Sequence, residues 1–166
     1  MKTDKIYLIG FMGAGKTAVA WALAKRLEWQ AVDIDDLIAQ REQARIADIF
    51  ARHGEPYFRA MERAVLFEQL AKRHAVVATG GGTFVDPQNR AAINADGVSI
   101  WLDVPLDRVI ARIPADGSRP LAANRAEFER LYHARRSAYQ LAHIQIDAGR
   151  ASVEELVEQL VDRLEY

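Results

Sequence analysis

The chain of 166 residues carries 22 lysine and arginine residues against 23 aspartate and glutamate residues, and 50% of its residues are hydrophobic. This length fits one domain whose core needs no disulfide or structural metal, and the net charge of −1 argues against a general nucleic-acid-binding or membrane-surface role. The absence of cysteine excludes thiolate catalysis and a disulfide framework, and it predicts a reducing, cytoplasmic location. We expect neither a signal peptide nor a membrane span, because every apolar run is short.

Short apolar segments alternate with longer amphipathic segments along the whole chain. The apolar segments predict strands at 6–10, 31–34, 75–79, 98–102 and 143–147. The segments between them predict helices near 16–28, 36–53, 55–73, 86–96, 105–113, 124–141 and 153–164. Apolar strands separated by helices are typical of a parallel sheet that is covered on both faces. The tryptophans of these elements are expected in the core: Trp21, Trp29 and Trp101.

The first predicted strand runs directly into a glycine-rich segment, GFMGAGKT, at residues 10–17. This segment has the pattern G-x-x-x-x-G-K-[ST] between a strand and a helix, which is typical of a phosphate-binding loop. Its glycines let backbone N–H groups point inward, and the helix N-terminus adds partial positive charge. Lys16 would reach the β- and γ-phosphates of a nucleoside triphosphate, and the Thr17 hydroxyl would bind Mg²⁺. The alternative is a glycine-rich turn with a surface lysine.

Aspartates follow the second predicted strand in the sequence VDIDD. Asp33 and Asp35 are two residues apart, so they would project in the same direction at the strand end where parallel α/β sheets bind ligands. One carboxylate could hold Mg²⁺ through water, and the other could accept a proton from a substrate hydroxyl. In the alternative interpretation, Asp35 or Asp36 only caps the helix that follows.

Arg59 and Glu62 lie one helical turn apart in the sequence GEPYFRAMERAV. Such a pair is usually a surface ion pair with little effect on stability, and the spacing alone favours that interpretation. In the alternative, Glu62 orients the planar guanidinium of Arg59 to bind a substrate carboxylate.

The third predicted strand ends in three consecutive glycines, Gly80, Gly81 and Gly82. Such a run loses much backbone entropy on folding, and it suits a place where a ligand must approach the main chain closely. A flexible turn is the alternative.

In chain order, the motifs G-x-x-x-x-G-K-T, D-x-D, F-R-x-x-E, G-G-G, R-P-L and R-x-x-x-Y resemble those of shikimate kinases over almost the whole chain. The resemblance implies an α/β, three-layer P-loop kinase fold, with a five-stranded parallel sheet, helices on both faces and a mobile lid at about 112–124. It implies a single domain over residues 1–166. The implied reaction is ATP-dependent phosphorylation of the 3-hydroxyl of shikimate, a step of aromatic amino acid biosynthesis, with ATP and Mg²⁺ as cofactors. We expect a cytoplasmic monomer without nucleic-acid or membrane partners.

The resemblance also assigns roles to individual residues. It implies catalytic roles for Lys16, Asp35 and Arg119, the last of which would be carried by the lid. It implies nucleotide binding by Gly13, Ala14, Gly15, Lys16, Thr17, Ala18, Arg112 and Arg119. It implies substrate binding by Asp35, Arg59, Gly80, Gly81, Gly82 and Arg135. It implies that Mg²⁺ is held by Thr17 and Asp33.

The late arginine motif departs from the family pattern. The family usually has R-x-P-L-Y, whereas this chain has RRSAY at residues 135–139 and therefore lacks the proline. The sequence leaves open whether Arg135 or Arg136 faces the substrate. Two other functions also stay open, a kinase for another polyol acid such as gluconate and a nucleotide-binding module without turnover.

Overall fold

A computed structural model of the chain describes residues 2–112 and 124–166. The strands are β1 (Lys5–Ile9), β2 (Gln30–Asp33), β3 (Ala75–Ala78), β4 (Val98–Asp103) and β5 (Ile144–Asp147). The helices are α1 (Lys16–Leu27), α2 (Ile34–Glu42), α3 (Ile46–Gln69), α4 (Pro87–Asp96), α5 (Leu106–Arg112), α6 (Arg125–Tyr139) and α7 (Val153–Leu164), and a short 3₁₀ helix covers Thr83–Val85. Within the described ranges, no helix is both long and apolar enough to cross a membrane.

All strand pairs in the sheet are parallel, and the strand order is β2-β3-β1-β4-β5. The predicted α/β architecture is therefore confirmed. Strand β1 is central and entirely buried, and its Leu8 pairs with Ala78 of β3 and with Ile100 of β4. Because the strands are parallel, the segments that follow β1, β2 and β3 all leave the sheet at the same edge. This topology brings the phosphate-loop motif, the aspartates and the glycine run together.

Helix α3 consists of two helical stretches joined at a kink. Gly54 has φ 81° and ψ 173°, a left-handed conformation that favours glycine. Pro56 follows two residues later, at the start of the second stretch, where proline is tolerated because the first N–H groups of a helix have no intrahelical partner. The predicted break between two helices is thus confirmed. The second stretch carries Arg59 and Glu62.

The tryptophan predictions are partly wrong. Trp101 is buried and Trp29 is partly buried, but Trp21 is 55% exposed. Helix α1 buries the face that carries Val19 and Leu23, which lie one turn apart. Since consecutive residues turn by about 100° around a helix axis, Trp21 lies on the opposite face. The prediction of a buried Trp21 is therefore wrong, because a residue inside a helix can lie on its exposed face.

Candidate active site

A cavity of about 680 Å³ opens at the carboxyl edge of the sheet. It is lined by the segments after β1, β2 and β3 together with parts of α3 and α6. Most of the residues that the sequence predicts for the site line it: Gly13, Gly15, Lys16, Thr17, Ala18, Asp33, Asp35, Arg59, Gly80, Gly81, Gly82 and Arg135. The structure therefore brings the separate motifs into one cavity.

The phosphate-loop motif forms a tight turn between β1 and α1. The Ala14 N–H donates to the Phe11 carbonyl at 3.1 Å, and Ala14 itself is buried rather than lining the cavity. Gly15 precedes α1 with φ 92°, a left-handed conformation that favours glycine. Helix α1 then begins at Lys16, so its first backbone N–H groups lack intrahelical acceptors beside the cavity. The geometry suits an anion at this helix N-terminus.

Lys16 is not the exposed lysine of the alternative interpretation. It is buried at the start of α1. Its Nζ atom donates to the carbonyl of Gly10 at 2.6 Å and to that of Phe11 at 2.9 Å. The ammonium group is thus held over the phosphate loop by backbone oxygens of that loop.

Asp33 joins the second motif to the phosphate loop. Its Oδ2 atom accepts from the Thr17 hydroxyl at 2.5 Å, and its Oδ1 atom accepts from the Asp36 N–H at 3.1 Å. Asp33 is therefore the N-cap of α2, and the alternative interpretation, in which Asp35 or Asp36 caps this helix, is wrong. The two aspartates were predicted to project in the same direction from the end of a strand. Instead, β2 ends at Asp33 and Asp35 lies in the first turn of α2, although both line the cavity. Burial raises the pKa of Asp36, and the neighbouring Asp33 carboxylate adds to this effect.

The oxygens of Thr17 and Asp33 suit Mg²⁺ in kind and number. Mg²⁺ prefers oxygen ligands and usually takes only one or two protein ligands beside phosphate oxygens and water. In the part of the chain that the structure describes, no group of three or more histidine, aspartate or glutamate side chains could hold a metal ion. Thr17 and Asp33, beside the phosphate loop, are consistent with a site in which Mg²⁺ has only one or two protein ligands.

Glu62 is 1% exposed, so the expectation of a surface ion pair with Arg59 is wrong. Its Oε1 atom accepts from Arg59 Nη1 at 3.0 Å, and its Oε2 atom accepts from the Thr83 hydroxyl at 2.9 Å. The Thr83 hydroxyl in turn accepts from the Gly80 N–H at 2.9 Å. The Arg59 guanidinium also reaches Glu55 at 3.4 Å, on the exposed side. Glu62 therefore orients Arg59 and ties α3 to the glycine run.

The glycine run at residues 80–82 is closely surrounded, which contradicts a merely flexible turn. A Cβ atom at the first glycine would lie 3.0 Å from Asp35 Oδ1. At the second glycine it would lie 2.9 Å from Arg135 Nη1, and at the third 2.5 Å from Arg59 Nη1. A Cβ atom at such a distance would force the neighbouring side chain to move. Each glycine therefore leaves room for a different charged group, which a larger residue would displace. Three polar groups thus meet one short stretch of main chain.

Arg135, rather than Arg136, lines the cavity. Arg135 is 7% exposed and its guanidinium lies 5.7 Å from the centre of the Phe11 ring. Burial lowers the pKa of Arg135. Arg136 instead donates to both carboxylate oxygens of Asp103, at 2.8 and 3.2 Å, and lies 4.8 Å from the Trp101 ring centre. Helix α6 runs through this segment, so the side chains of these two neighbouring arginines point about 100° apart around its axis.

Two further residues, Arg112 and Arg119, were predicted to bind the nucleotide. Arg112, at the end of α5, donates to the Gly13 carbonyl at 3.2 Å and so lies beside the phosphate loop. Arg119 and the rest of the predicted lid, 113–123, lie outside the described residues.

Several residues in or directly behind the cavity were not predicted from the sequence. Thr83 directly follows the glycine run, and its polar side chain next to that run was an available signal. An apolar wall comes from α3: Ile46, Phe50 and Phe58. These residues have the helical spacing of a core stripe, so their position at the cavity was not recognisable from periodicity.

The comparisons with known proteins agree with this geometry. The family model described as Shikimate kinase matches residues 12–165. The chain belongs to the shikimate kinase family. It is 39% identical over 160 residues to the shikimate kinase of Persephonella marina, with 96% of this chain and 98% of that protein covered.

Solved structures give the same result. The shikimate kinase from Acinetobacter baumannii in complex with shikimate is similar with a TM-score of 0.94 and 31% identity, covering 98% of this chain and 93% of that one. The shikimate kinase from Aquifex aeolicus is similar with a TM-score of 0.87 and 32% identity, covering 97% and 96%. The chain is therefore an enzyme of the kinase class with a P-loop kinase fold, and ATP use follows from the family.

The contact between Gly82 and Arg59 generates a prediction. Gly82→Ala should still fold, because φ −103° suits alanine, but its free energy of unfolding should fall below that of the parent, because displacing Arg59 takes one partner from the buried Glu62 carboxylate. The new methyl group should displace the Arg59 guanidinium and raise the KM for the phosphate acceptor roughly 10-fold, the loss of a charged hydrogen bond. The KM for ATP should change little.

A double variant tests whether this effect acts through Arg59. If it does, Arg59→Met and Arg59→Met with Gly82→Ala should have the same acceptor KM. Additive increases in steady-state KM would show that Gly82→Ala acts elsewhere.

Proposed function

We propose that the protein transfers the γ-phosphoryl group of ATP to the 3-hydroxyl of shikimate, giving shikimate 3-phosphate and ADP. The observation that carries the proposal is the pair of guanidinium groups at adjacent glycines, Arg135 at Gly81 and Arg59 at Gly82, in the cavity that also contains the phosphate loop. Two convergent guanidinium groups suit a carboxylate, and a small carboxylic acid fits beside the loop. The A. baumannii relative, 31% identical, has been solved with shikimate.

Substrate orientation would come from Arg59 and Arg135. Their planar forks can each donate to a carboxylate oxygen, which fixes the direction of the ring as well as its position. Glu62 holds Arg59 in place at 3.0 Å, so little side-chain entropy remains to be lost when the substrate binds. The apolar side chains of α3 would contact the carbon ring, with Phe58 and Phe50 packed against each other at 4.5 Å between ring centres.

Asp35 would be the general base. It lines the cavity beside the first glycine of the run, in the same cavity as the arginines and the phosphate loop. In the proposed step, the substrate hydroxyl gives its proton to the Asp35 carboxylate while its oxygen forms a bond to the γ-phosphorus. The bond between that phosphorus and the β,γ-bridging oxygen breaks, and its electron pair leaves with ADP.

The nucleotide would lie on the phosphate loop. The Lys16 ammonium can exchange its carbonyl contacts with the loop for β- and γ-phosphate oxygens, and the backbone N–H groups at the start of α1 can donate to the phosphates. Thr17 and Asp33 would hold Mg²⁺, which when bound neutralises charge on the phosphate oxygens. Arg112 would flank the adenine. The proposed role of Arg119, stabilising charge on the transferring phosphoryl group, rests on the sequence motif alone.

We further propose a cytoplasmic, single-domain monomer that acts on a small molecule and needs neither nucleic acid nor a membrane. The net charge of −1 and the absence of cysteine support this proposal. Light scattering of the purified chain would test the oligomeric state.

The substrate assignment is tested by measuring ADP release with shikimate, quinate and gluconate as acceptors. We expect ADP formation to depend on shikimate and to give one equivalent of shikimate 3-phosphate per ADP. Faster turnover of gluconate would support a different polyol acid kinase. ATP binding without acceptor-dependent ADP release would identify a nucleotide-binding module instead.

The separation of Arg135 from Arg136 generates a matched pair of variants. Arg135→Met should raise the Kd for shikimate roughly 10- to 100-fold, because a charged hydrogen bond contributes about 1.5 to 3 kcal/mol, and it should leave ATP affinity nearly unchanged. Arg136→Met removes the contact with Asp103 and should lower the melting temperature, while the Kd for shikimate stays within about twofold of the parent. Calorimetric titration of both variants measures this difference. A stronger effect of Arg136→Met on shikimate binding would contradict the assignment.

A further inference from the structure

Tyr139 connects the end of α6 to the glycine run. Its hydroxyl donates to the carbonyl oxygen of Gly81, and its side chain is 1% exposed. The ring packs against Trp101 of β4, with 5.8 Å between the ring centres, and this contact holds the ring in place. Burial raises the pKa of Tyr139 to about 12, and the hydroxyl therefore keeps its proton and remains a donor at neutral pH.

The contact with Gly81 fixes the orientation of a whole peptide group. In a trans peptide, the C=O of one residue and the N–H of the next point in opposite directions. Because the Gly81 carbonyl is held by Tyr139, the N–H of Gly82 must point away from Tyr139. Without side chains, the glycines cannot set this orientation by packing, and their backbone freedom is large. The Thr83 N–H also donates to the Gly80 carbonyl at 3.3 Å and closes a turn around this peptide, but such a turn bond is compatible with either orientation of the central peptide. The hydrogen bond from Tyr139 favours one of the two orientations.

Tyr139 also stands beside the second guanidinium group. Arg135 precedes it by one helical turn, which places the two side chains on the same face of α6. Burial lowers the pKa of Arg135, whereas its hydrogen bond with the Tyr139 hydroxyl raises that pKa. Nη1 of Arg135 in turn lies 2.9 Å from the position that a Cβ atom would take at Gly81. The hydroxyl of Tyr139 thus acts on the same glycine that Arg135 approaches.

We infer that Tyr139 is a positioning residue for the acceptor, since its hydroxyl holds the Gly81–Gly82 peptide in the orientation in which the glycine run receives the substrate. This inference rests on the proposed function. Tyr139 touches no reacting atom in this arrangement, and its effect passes through the main chain of the glycine run and through the neighbouring Arg135. Loss of the hydroxyl should therefore weaken binding of the acceptor more than it slows the transfer step.

The test is Tyr139→Phe, which removes the hydroxyl and keeps the ring in place. The Kd for shikimate, measured by calorimetric titration of the full chain, should rise roughly 3- to 10-fold, the value of one neutral hydrogen bond. The KM for ATP and kcat should each stay within about twofold. Hydrogen exchange at residues 80–83 should become faster, because the peptide is no longer anchored.

Tyr132→Phe is the matched control. Tyr132 lies on the same helix, is also buried and also donates to a backbone carbonyl, that of Val104 at 2.7 Å, away from the glycine run. Tyr132→Phe should lower the melting temperature about as much as Tyr139→Phe does. It should leave the Kd for shikimate and the rate of hydrogen exchange at residues 80–83 unchanged.

The outcomes separate the inference from the proposed function. A parent protein that does not turn over shikimate would contradict the proposed function. If the parent turns over shikimate but Tyr139→Phe binds it as the parent does, the positioning role is wrong. Equal losses of shikimate affinity in the two tyrosine variants would also contradict that role, because they would reflect only destabilisation of α6.

Discussion

The cavity depends on one buried carboxylate. A carboxylate that leaves water loses several kcal/mol of hydration free energy unless it is paired and hydrogen-bonded. Glu62 meets this requirement through Arg59 at 3.0 Å and the Thr83 hydroxyl at 2.9 Å. The contacts that satisfy the buried charge therefore also fix the position of a guanidinium group that lines the cavity and of the segment after β3.

The rest of the site depends on the kink in α3, on the strand order and on the glycine run, which together place the other residues near Glu62. The kink at Gly54 redirects α3, and the second stretch of the helix carries Glu62 inward beneath the carboxyl edge of the sheet. The central position of β1 places the phosphate loop beside the segment that follows β3. The absence of side chains at residues 80–82 then allows the charged groups of α2, α3 and α6 to approach the same main chain. The proposed nucleotide and acceptor sites thus share one cavity because of the strand order and the small residues at 80–82.

The sequence predicted the element order and the phosphate loop well, because both depend on local patterns. Apolar periodicity located the strands, and the glycines between a strand and a helix are characteristic of an anion site. The choice between neighbouring residues was not predictable. Arg135 and Arg136 differ by about 100° around α6, and only tertiary packing decides which of them faces the cavity. The burial of Glu62 was likewise invisible, because an arginine and a glutamate three residues apart have the same spacing on an exposed helix.

Helix starts were a second source of error. Three aspartates lie within four residues at the end of β2, and each is a favourable N-cap. The helix begins after the first of them, so Asp33 caps α2 and Asp35 falls in its first turn. A shift of this size changes the direction of every side chain nearby, yet it is smaller than the accuracy with which a sequence locates a helix end. The residues of the site were therefore more predictable than their geometry.

The most direct measurement compares Glu62→Gln with Glu55→Gln by calorimetric titration with shikimate. Both glutamates contact Arg59, but Glu62 is buried and Glu55 is exposed. We expect Glu62→Gln to raise the Kd for shikimate at least about 10-fold, because the neutral amide holds the guanidinium less strongly, and Glu55→Gln to stay within about twofold. Equal shikimate affinities in the two variants, with both folded, would contradict the central role of the buried carboxylate.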